Sequence, residues 1–257
     1  MRVTMLGCGP SWGVPRIGGS WGACDPADPR NRRRRVSVLV EEEGGAALLI
    51  DTSPDLREQL LDAQVKRIDA VLFTHAHADH LHGIDDLRSV NWLMQRGIPI
   101  FASAQTLSEI NQRFGYVFDP VKPDRRSAYY KPVLQPQVID GPFEAAGIPV
   151  MPFLQDHGFS QTLGFRIGDF AYSTDVIRLD EGAFAALRGV RLWIVDCIRR
   201  EAHVTHSHLA QTLAWIARVK PSRAVLTHMD ESLDYATLAR ELPSGVEPGH
   251  DGLVIDL

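Results

Sequence analysis

The chain has 257 residues, of which 44 % are hydrophobic and 23 % charged, so it can bury a sizeable core without disulfide or metal staples. A net charge of −5 argues against broad, non-specific binding to nucleic acid, and no apolar run approaches the about 18 residues of a membrane span. Three cysteines, Cys8, Cys24 and Cys197, are too sparse for a disulfide framework; with no secretory leader at Met1, a reducing cytoplasm is the expected setting.

Arg2 to Leu6 predicts a strand that runs into a Gly-rich loop at Gly7-Cys8-Gly9-Pro10, and a polar stretch follows to Arg35. Val36–Val40 and Ala46–Asp51 flank Glu43-Gly44-Gly45 as a hairpin. A helix is expected over 55–64, a buried strand over 70–73, and a helix over 85–95 with Leu87, Val90, Leu93 and Met94 on one side. Strand 100–102 and helix 104–114 come next. Residues 115–135, rich in Pro, Tyr, Lys and Arg, form an irregular insertion whose Tyr116, Tyr129 and Tyr130 suit a lid or an interface.

In the second half, strands are expected at 133–139, 148–154, 163–167, 170–173 and 192–195. A helix over 207–219 would bury Leu209, Leu213, Ile216 and Ala217. Strand 224–226, helix 232–241 and strand 253–255 close the chain. Each half has strands first and then strands alternating with helices. Two mixed sheets packed face to face with helices outside account for that order within a single domain spanning 1–257.

The unusual composition is histidine, with ten residues held mostly in short motifs. Thr74-His75-Ala76-His77-Ala78-Asp79-His80 puts four metal-competent side chains within six residues, directly after an apolar strand. Neither a regular helix nor a regular strand converges all four, so a loop wrapped around ions is expected, rather than a solvated turn. His157, Asp175 and His228 are weak signals singly: a surface histidine, a turn aspartate, and a repeat of the strand-Thr-His arrangement. Asp175, Asp196 and His228, like His75, each follow an apolar run, the position where layered α/β folds build their sites.

Taken in order, these motifs resemble the metallo-β-lactamase-like hydrolases along nearly the whole chain. The resemblance implies an α/β four-layer αββα sandwich and two divalent cations, Zn²⁺ or Mn²⁺. His75, His77 and His157 would hold one, Asp79, His80 and His228 the other, and Asp175 would bridge them. It also implies catalysis by a water activated between the ions, with Asp79 acting beside its ligand role.

Within the family, Asp175 at the bridging position and the loop Gly7-Cys8-Gly9-Pro10-Ser11-Trp12-Gly13-Val14-Pro15 fit the ribonuclease Z and phosphodiesterase branch. That loop is either a backbone cradle for phosphate or a tight turn. In this branch a histidine before the last long helix protonates the leaving group; His206 matches best, with His208 second. The closest resemblance is to the cyclic phosphodiesterases of the carbon–phosphorus lyase pathway. It rests on the Gly-rich start, Arg32-Arg33-Arg34-Arg35 before the second strand, the histidine-helix-Thr-His ending and Gly249-His250-Asp251-Gly252.

The chain departs from that pattern at the clustered cysteines of a structural zinc site. Only Cys24 remains, and Met229-Asp230-Glu231 follows His228, so no structural zinc is expected. The arginine run is expected to be a solvated loop.

The leading expectation is a phosphodiesterase for a small cyclic phosphate or nucleotide-like ester, such as 5-phosphoribosyl 1,2-cyclic phosphate. Its partner would be that small molecule, with no stable nucleic-acid complex and no membrane; a homodimer is admitted by the family alone. The alternatives are a tRNA 3′-processing endonuclease and a non-catalytic metal-binding accessory protein.

Overall fold

The computed structural model describes residues 1–120 and 130–257. In chain order the elements are β1 (Arg2–Gly7), β2 (Ser37–Glu41), β3 (Ala47–Ile50), α1 (Leu56–Asp62), β4 (Ala70–Leu72), α2 (Ala78–Leu81), α3 (Leu87–Met94), β5 (Ile98–Ala102), α4 (Ala104–Phe114) and β6 (Leu134–Val138). The second half supplies β7 (Phe143–Ala145), β8 (Ile148–Asp156), β9 (Gln161–Ile167), β10 (Phe170–Ser173), α5 (Glu181–Ala186), β11 (Leu192–Asp196), α6 (Leu209–Val219), β12 (Arg223–Thr227), α7 (Tyr235–Glu241), β13 (Val246–Pro248) and β14 (Leu253–Asp256).

The strands form two seven-stranded sheets, ordered β14-β1-β2-β3-β4-β5-β6 and β13-β12-β11-β10-β9-β8-β7. Each changes character across its width. β14, β1, β2 and β3 pair antiparallel, and β3, β4, β5 and β6 parallel. In the other sheet β7 to β10 are antiparallel and β10 to β13 parallel.

The strands of the first sheet are apolar on both faces, and their residues divide with period two. Val3, Met5, Val38, Val40, Leu48, Ile50, Ala70 and Leu72 point into the core shared with the second sheet. Leu39, Leu49, Val71 and Phe73 point outward into a second core with Leu56, Leu87, Val90, Leu107 and Ile110 of the covering helices. The result is the expected four-layer αββα sandwich.

Some local expectations need correction. Leu93 is 52 % exposed. With α3 beginning at Leu87, the buried stripe runs through Leu87, Val90 and Asn91. Ala217 is exposed, and Thr212 is buried beside Ile216 on α6. Thr212 faces inward because its hydroxyl donates to the carbonyl of Asp196. The last helix starts at Tyr235, where Asp234 accepts a hydrogen bond from Thr237 N and caps it. The short strands β7 and β13 and the helix α5 carry too little periodicity to be seen in the sequence. In the insertion, Tyr116 donates to Asp85, while Tyr129 lies outside the described residues. Among the described residues, no helix is long and apolar enough to cross a membrane.

The parallel halves position the site. β4, β10, β11 and β12 all end at one edge of the sandwich, and Thr74-His75, Thr174-Asp175, Asp196 and Thr227-His228 come off those ends.

Candidate active site

Backbone geometry turns the side chains inward. Asp51, Asp175 and His228, each just past a strand, adopt left-handed φ values of 61°, 53° and 59°. Such angles cost non-glycine residues roughly 1–2 kcal/mol each, and concentrate where a site demands them. The motif after β4 is not loop throughout. Residues 78–81 form a single helical turn with His77, in an extended conformation, as its N-cap. The turn sends Asp79 to the cavity wall and His80 to the buried floor, so two adjacent residues serve different sides of the cluster.

Asp175 lies at the centre. Its Oδ2 is 3.7 Å from Nε2 of His75 and 3.6 Å from Nε2 of His157, while Oδ1 is 3.0 Å from Nε2 of His80 and 3.4 Å from Nε2 of His228. Asp79 Oδ2 adds contacts of 3.4 Å to His80 and 3.5 Å to His228. His77 stacks edge-on to His75, with ring centroids 4.4 Å apart. Donor atoms therefore gather into two neighbouring groups, His75, His77, His157 and Asp175 on one side and Asp79, His80 and His228 on the other.

The surroundings set the tautomers. Thr74 has one hydroxyl proton, which it donates to Asp51 at 2.8 Å; it then accepts from Nδ1 of His75 at 2.9 Å. His157 Nδ1 donates to the carbonyl of Thr205 at 2.8 Å, and His80 Nδ1 to Asp51 at 2.8 Å. All three rings hold their proton on Nδ1 and aim Nε2 at the cluster, the usual support for metal-ligating histidines. Nε2 of His75, His80 and His228 is buried without a hydrogen bond among the described residues. Buried nitrogens in that state are costly unless something binds them. The donor set of imidazoles and carboxylates with no thiolate fits a borderline divalent cation.

The electrostatics agree for His75 and His157. Burial, with repulsion from His80, holds His75 well below its usual range, so its Nε2 lone pair stays free. Burial likewise lowers His157. Burial opposes charge on His80 also, yet Asp175, Asp79 and Asp51 outweigh it and hold that ring well above the usual range. Burial opposes ionisation of Asp175, but His228, His80 and His206 prevail and keep it ionised.

His206 lies 3.7 Å from Asp175, its Nδ1 3.4 Å from Asp196. Burial works against its charge, but the carboxylates of Asp196 and Asp175 push it up to about 9. Asp196 is itself pinned by the backbone N–H and hydroxyl of Ser207. His208, the second candidate acid, does not join this group. It occupies the N-cap position of α6, and its backbone pairs with Arg199. The cavity, about 380 Å³, is lined by Ser11, His77, Asp79, His157, Phe159, Ser160, Asp175, Thr205, His206 and His228.

Two supporting acids had weak sequence signals. Asp51 is marked only by its place at a strand end, like Asp175. Asp196 shares that mark, but nothing local pairs it with a histidine ten residues on.

Most amides of the Gly-rich loop are held within the protein, while Ser11 lines the cavity. The amides of Cys8, Gly9, Gly13 and Val14 donate to Asp251, Arg34 O, Pro10 O and Arg33 O. Its glycines permit close approach, since a Cβ on Gly9 would sit 2.8 Å from Arg33 O. Of the arginine run only Arg32 is exposed. Arg33 is 1 % exposed and donates to the carbonyls of Asp230 and Leu233, with Cys24 Sγ at 3.9 Å. Arg34 pairs with Asp251 and Asp62, and Arg35 with Asp55. These arginines lock the first loop to the segment after His228.

A family model described as the β-lactamase superfamily domain matches residues 47–229. The chain belongs to the metallo-β-lactamase superfamily. A PhnP-family diphosphatase structure superposes on this superfamily member with a TM-score of 0.89 at 33 % identity, covering 99 % of this chain and 97 % of that one. An octanoyltransferase of Porphyromonas gingivalis is 34 % identical over 98 % of the chain, which spans only 51 % of that protein's length. Coenzyme PQQ synthesis protein B of Xanthomonas oryzae is 27 % identical over the full length of both. Superfamily and neighbours make the chain a metal-dependent hydrolase.

Proposed function

We propose that this hydrolase is a dimetal phosphodiesterase for a small cyclic phosphate or nucleotide-like diester, of which 5-phosphoribosyl 1,2-cyclic phosphate is one. One observation carries the reading: the two carboxylate oxygens of Asp175 face different histidines, Oδ1 toward His80 and His228 and Oδ2 toward His75 and His157, with His206 also beside Oδ2. In this proposal His75, His77 and His157 hold one Zn²⁺ or Mn²⁺, Asp79, His80 and His228 hold the other, and Asp175 serves both. When bound, the cations would supply a water of lowered pKa and offset the charge of the phosphoryl oxygens.

The chain's own residues do the rest. His206 keeps its proton because Asp196 accepts from Nδ1, and Nε2 faces the cavity where an alkoxide leaves. Asp51 keeps His80 aimed at the cluster through its Nδ1. Phosphoryl chemistry is preferred over acyl transfer because the diphosphatase likeness extends over nearly the whole of both chains. The octanoyltransferase name belongs to a protein about twice as long.

Elemental analysis paired with hydrolysis of bis(p-nitrophenyl) phosphate tests the proposal. About two ions per chain, with activity lost on chelation and restored by Zn²⁺ or Mn²⁺, is the expected result. Two ions without diesterase activity would shift the reaction to thioesters or lactones, and no uptake of metal would refute the dimetal centre.

A further inference from the structure

The cavity has a floor of imidazoles and carboxylates, hydroxyls of Ser11, Ser160 and Thr205 on its walls, and one aromatic ring, Phe159. That ring sits at the tip of the turn from β8 to β9 and is 90 % exposed. Its support is rigid. His157 N donates to Ser160 O at 2.9 Å, Phe159 N to His157 O at 3.1 Å, and Gly158 N to Asp156 Oδ1 at 2.8 Å. Gly158 has a φ of +82°, and a Cβ there would lie 2.8 Å from Val204 O and 3.0 Å from Thr205 Cγ2. The turn is therefore pressed against the segment that carries His206, and His157 bonds across the same junction to Thr205 O. Val204, on the facing segment, is 72 % exposed.

A phenylalanine offers a large apolar face, and leaving it in water at the mouth of a polar cavity forgoes its burial. We propose that Phe159 is a specificity-determining residue that stacks on a planar ring of the substrate while the phosphoryl group occupies the His–Asp floor. Within the class proposed above, the substrate is then narrowed to a nucleoside phosphodiester or another ring-bearing phosphate ester, which sets aside bare sugar phosphates such as 5-phosphoribosyl 1,2-cyclic phosphate. This rests on the phosphodiesterase reading above. A ring is favoured over an alkyl chain because the apolar part of the lining is the flat face of Phe159, with no apolar groove beside it. A flexible chain would lose its conformational freedom there for little buried area. Stacking on a ring carried by a fixed turn orders little beyond that ring's own two side-chain torsions, and every base has a π face to offer.

The test is calorimetric titration of the metal-loaded protein with adenosine 5′-monophosphate and with ribose 5-phosphate, which share the phosphate and differ by the ring. The parent is expected to bind the nucleotide about tenfold more tightly or better. Phe159→Ala should bring the two affinities together by weakening only the nucleotide, with metal content unchanged, and Phe159→Trp should keep the preference. Equal affinities in the parent, or a preference that survives in Phe159→Ala, overturn the proposal while bis(p-nitrophenyl) phosphate hydrolysis still upholds the phosphodiesterase. A protein that binds neither ligand and cleaves no phosphodiester refutes both.

Discussion

Two clusters of like residues, His75 to His80 and Arg32 to Arg35, show opposite relations between composition and role. The histidines and Asp79 converge on a shared space and leave Nε2 atoms unsatisfied there. The arginines diverge: Arg33 inward to the carbonyls of residues 230 and 233, Arg34 to Asp62 and Asp251, Arg35 to Asp55. One region keeps polar atoms unpaired for a ligand. The other pairs most of them, with Arg33 Nε left over and Arg32 exposed, and so holds the first loop and the segment after His228 in place. Function is concentrated where the fold leaves hydrogen-bonding capacity unused, and stability where it does not. Substitutions in the first region should therefore change catalysis or metal binding, and those in the second should change folding.

The largest expected effect is at His206. Replacing it with alanine should lower turnover of an alkyl phosphodiester by about 10²- to 10⁴-fold, and have little effect on a p-nitrophenyl ester, whose leaving group needs no proton. The acid acts only when protonated, so parental activity on the alkyl ester should fall as pH rises through the pKa of His206. That value is about 9 without metal, and cations beside Asp175 will lower it. His206→Ala should lose this limb of the profile. Equal losses on both esters would assign His206 to the metal set, which its place with Asp175 and His228 permits geometrically.

Arg33 tests the other region. Arg33→Ala leaves the carbonyls of Asp230 and Leu233 buried without their donor. It should destabilise the protein by about 3 kcal/mol in urea unfolding, with metal stoichiometry retained in the folded fraction. A variant that folds normally yet loses metal would erase the distinction between the regions.

The legibility of the chain follows the same division. The ligand set is local in type if not in sequence: a histidine after an apolar strand and a Thr is visible at 75 and again at 228. The sandwich is visible because its inner strands are apolar on both faces. The arginine run misleads because its partners lie up to about two hundred residues away. Four adjacent charges with no local counter-charge resemble a solvated loop until the chain is folded. The Gly-rich loop has distant partners in the same way: Asp251, near the end of the chain, takes Cys8 N and also Arg34 N. The Gly-rich start, the arginine run and the Gly-His-Asp-Gly ending are thus one junction, seen in sequence as three separate motifs.

Asp51 sharpens the comparison, because it combines both behaviours. It is fully buried and accepts from Thr74 N, the Thr74 hydroxyl and His80 Nδ1. Burial pushes its carboxyl up, and the contacts with His80 and Thr74 pull against that. Asp51→Asn keeps the shape and one acceptor oxygen but puts an amide donor where a carboxylate oxygen stood. The Thr74 hydroxyl and His80 Nδ1 share Oδ2, so an amide nitrogen there takes the acceptor from both, and one at Oδ1 faces Thr74 N instead. If Thr74 turns, its hydrogen bond to His75 is lost as well, so both metal groups are touched through one substitution. Losing such a support typically weakens metal affinity by about 10- to 100-fold. Competition with a chromophoric chelator should show that loss, with the weaker ion released first and catalysis recovering as free metal is raised. Recovery separates a residue that aims its neighbours from one that reacts: excess metal should restore Asp51→Asn and leave His206→Ala as slow as before.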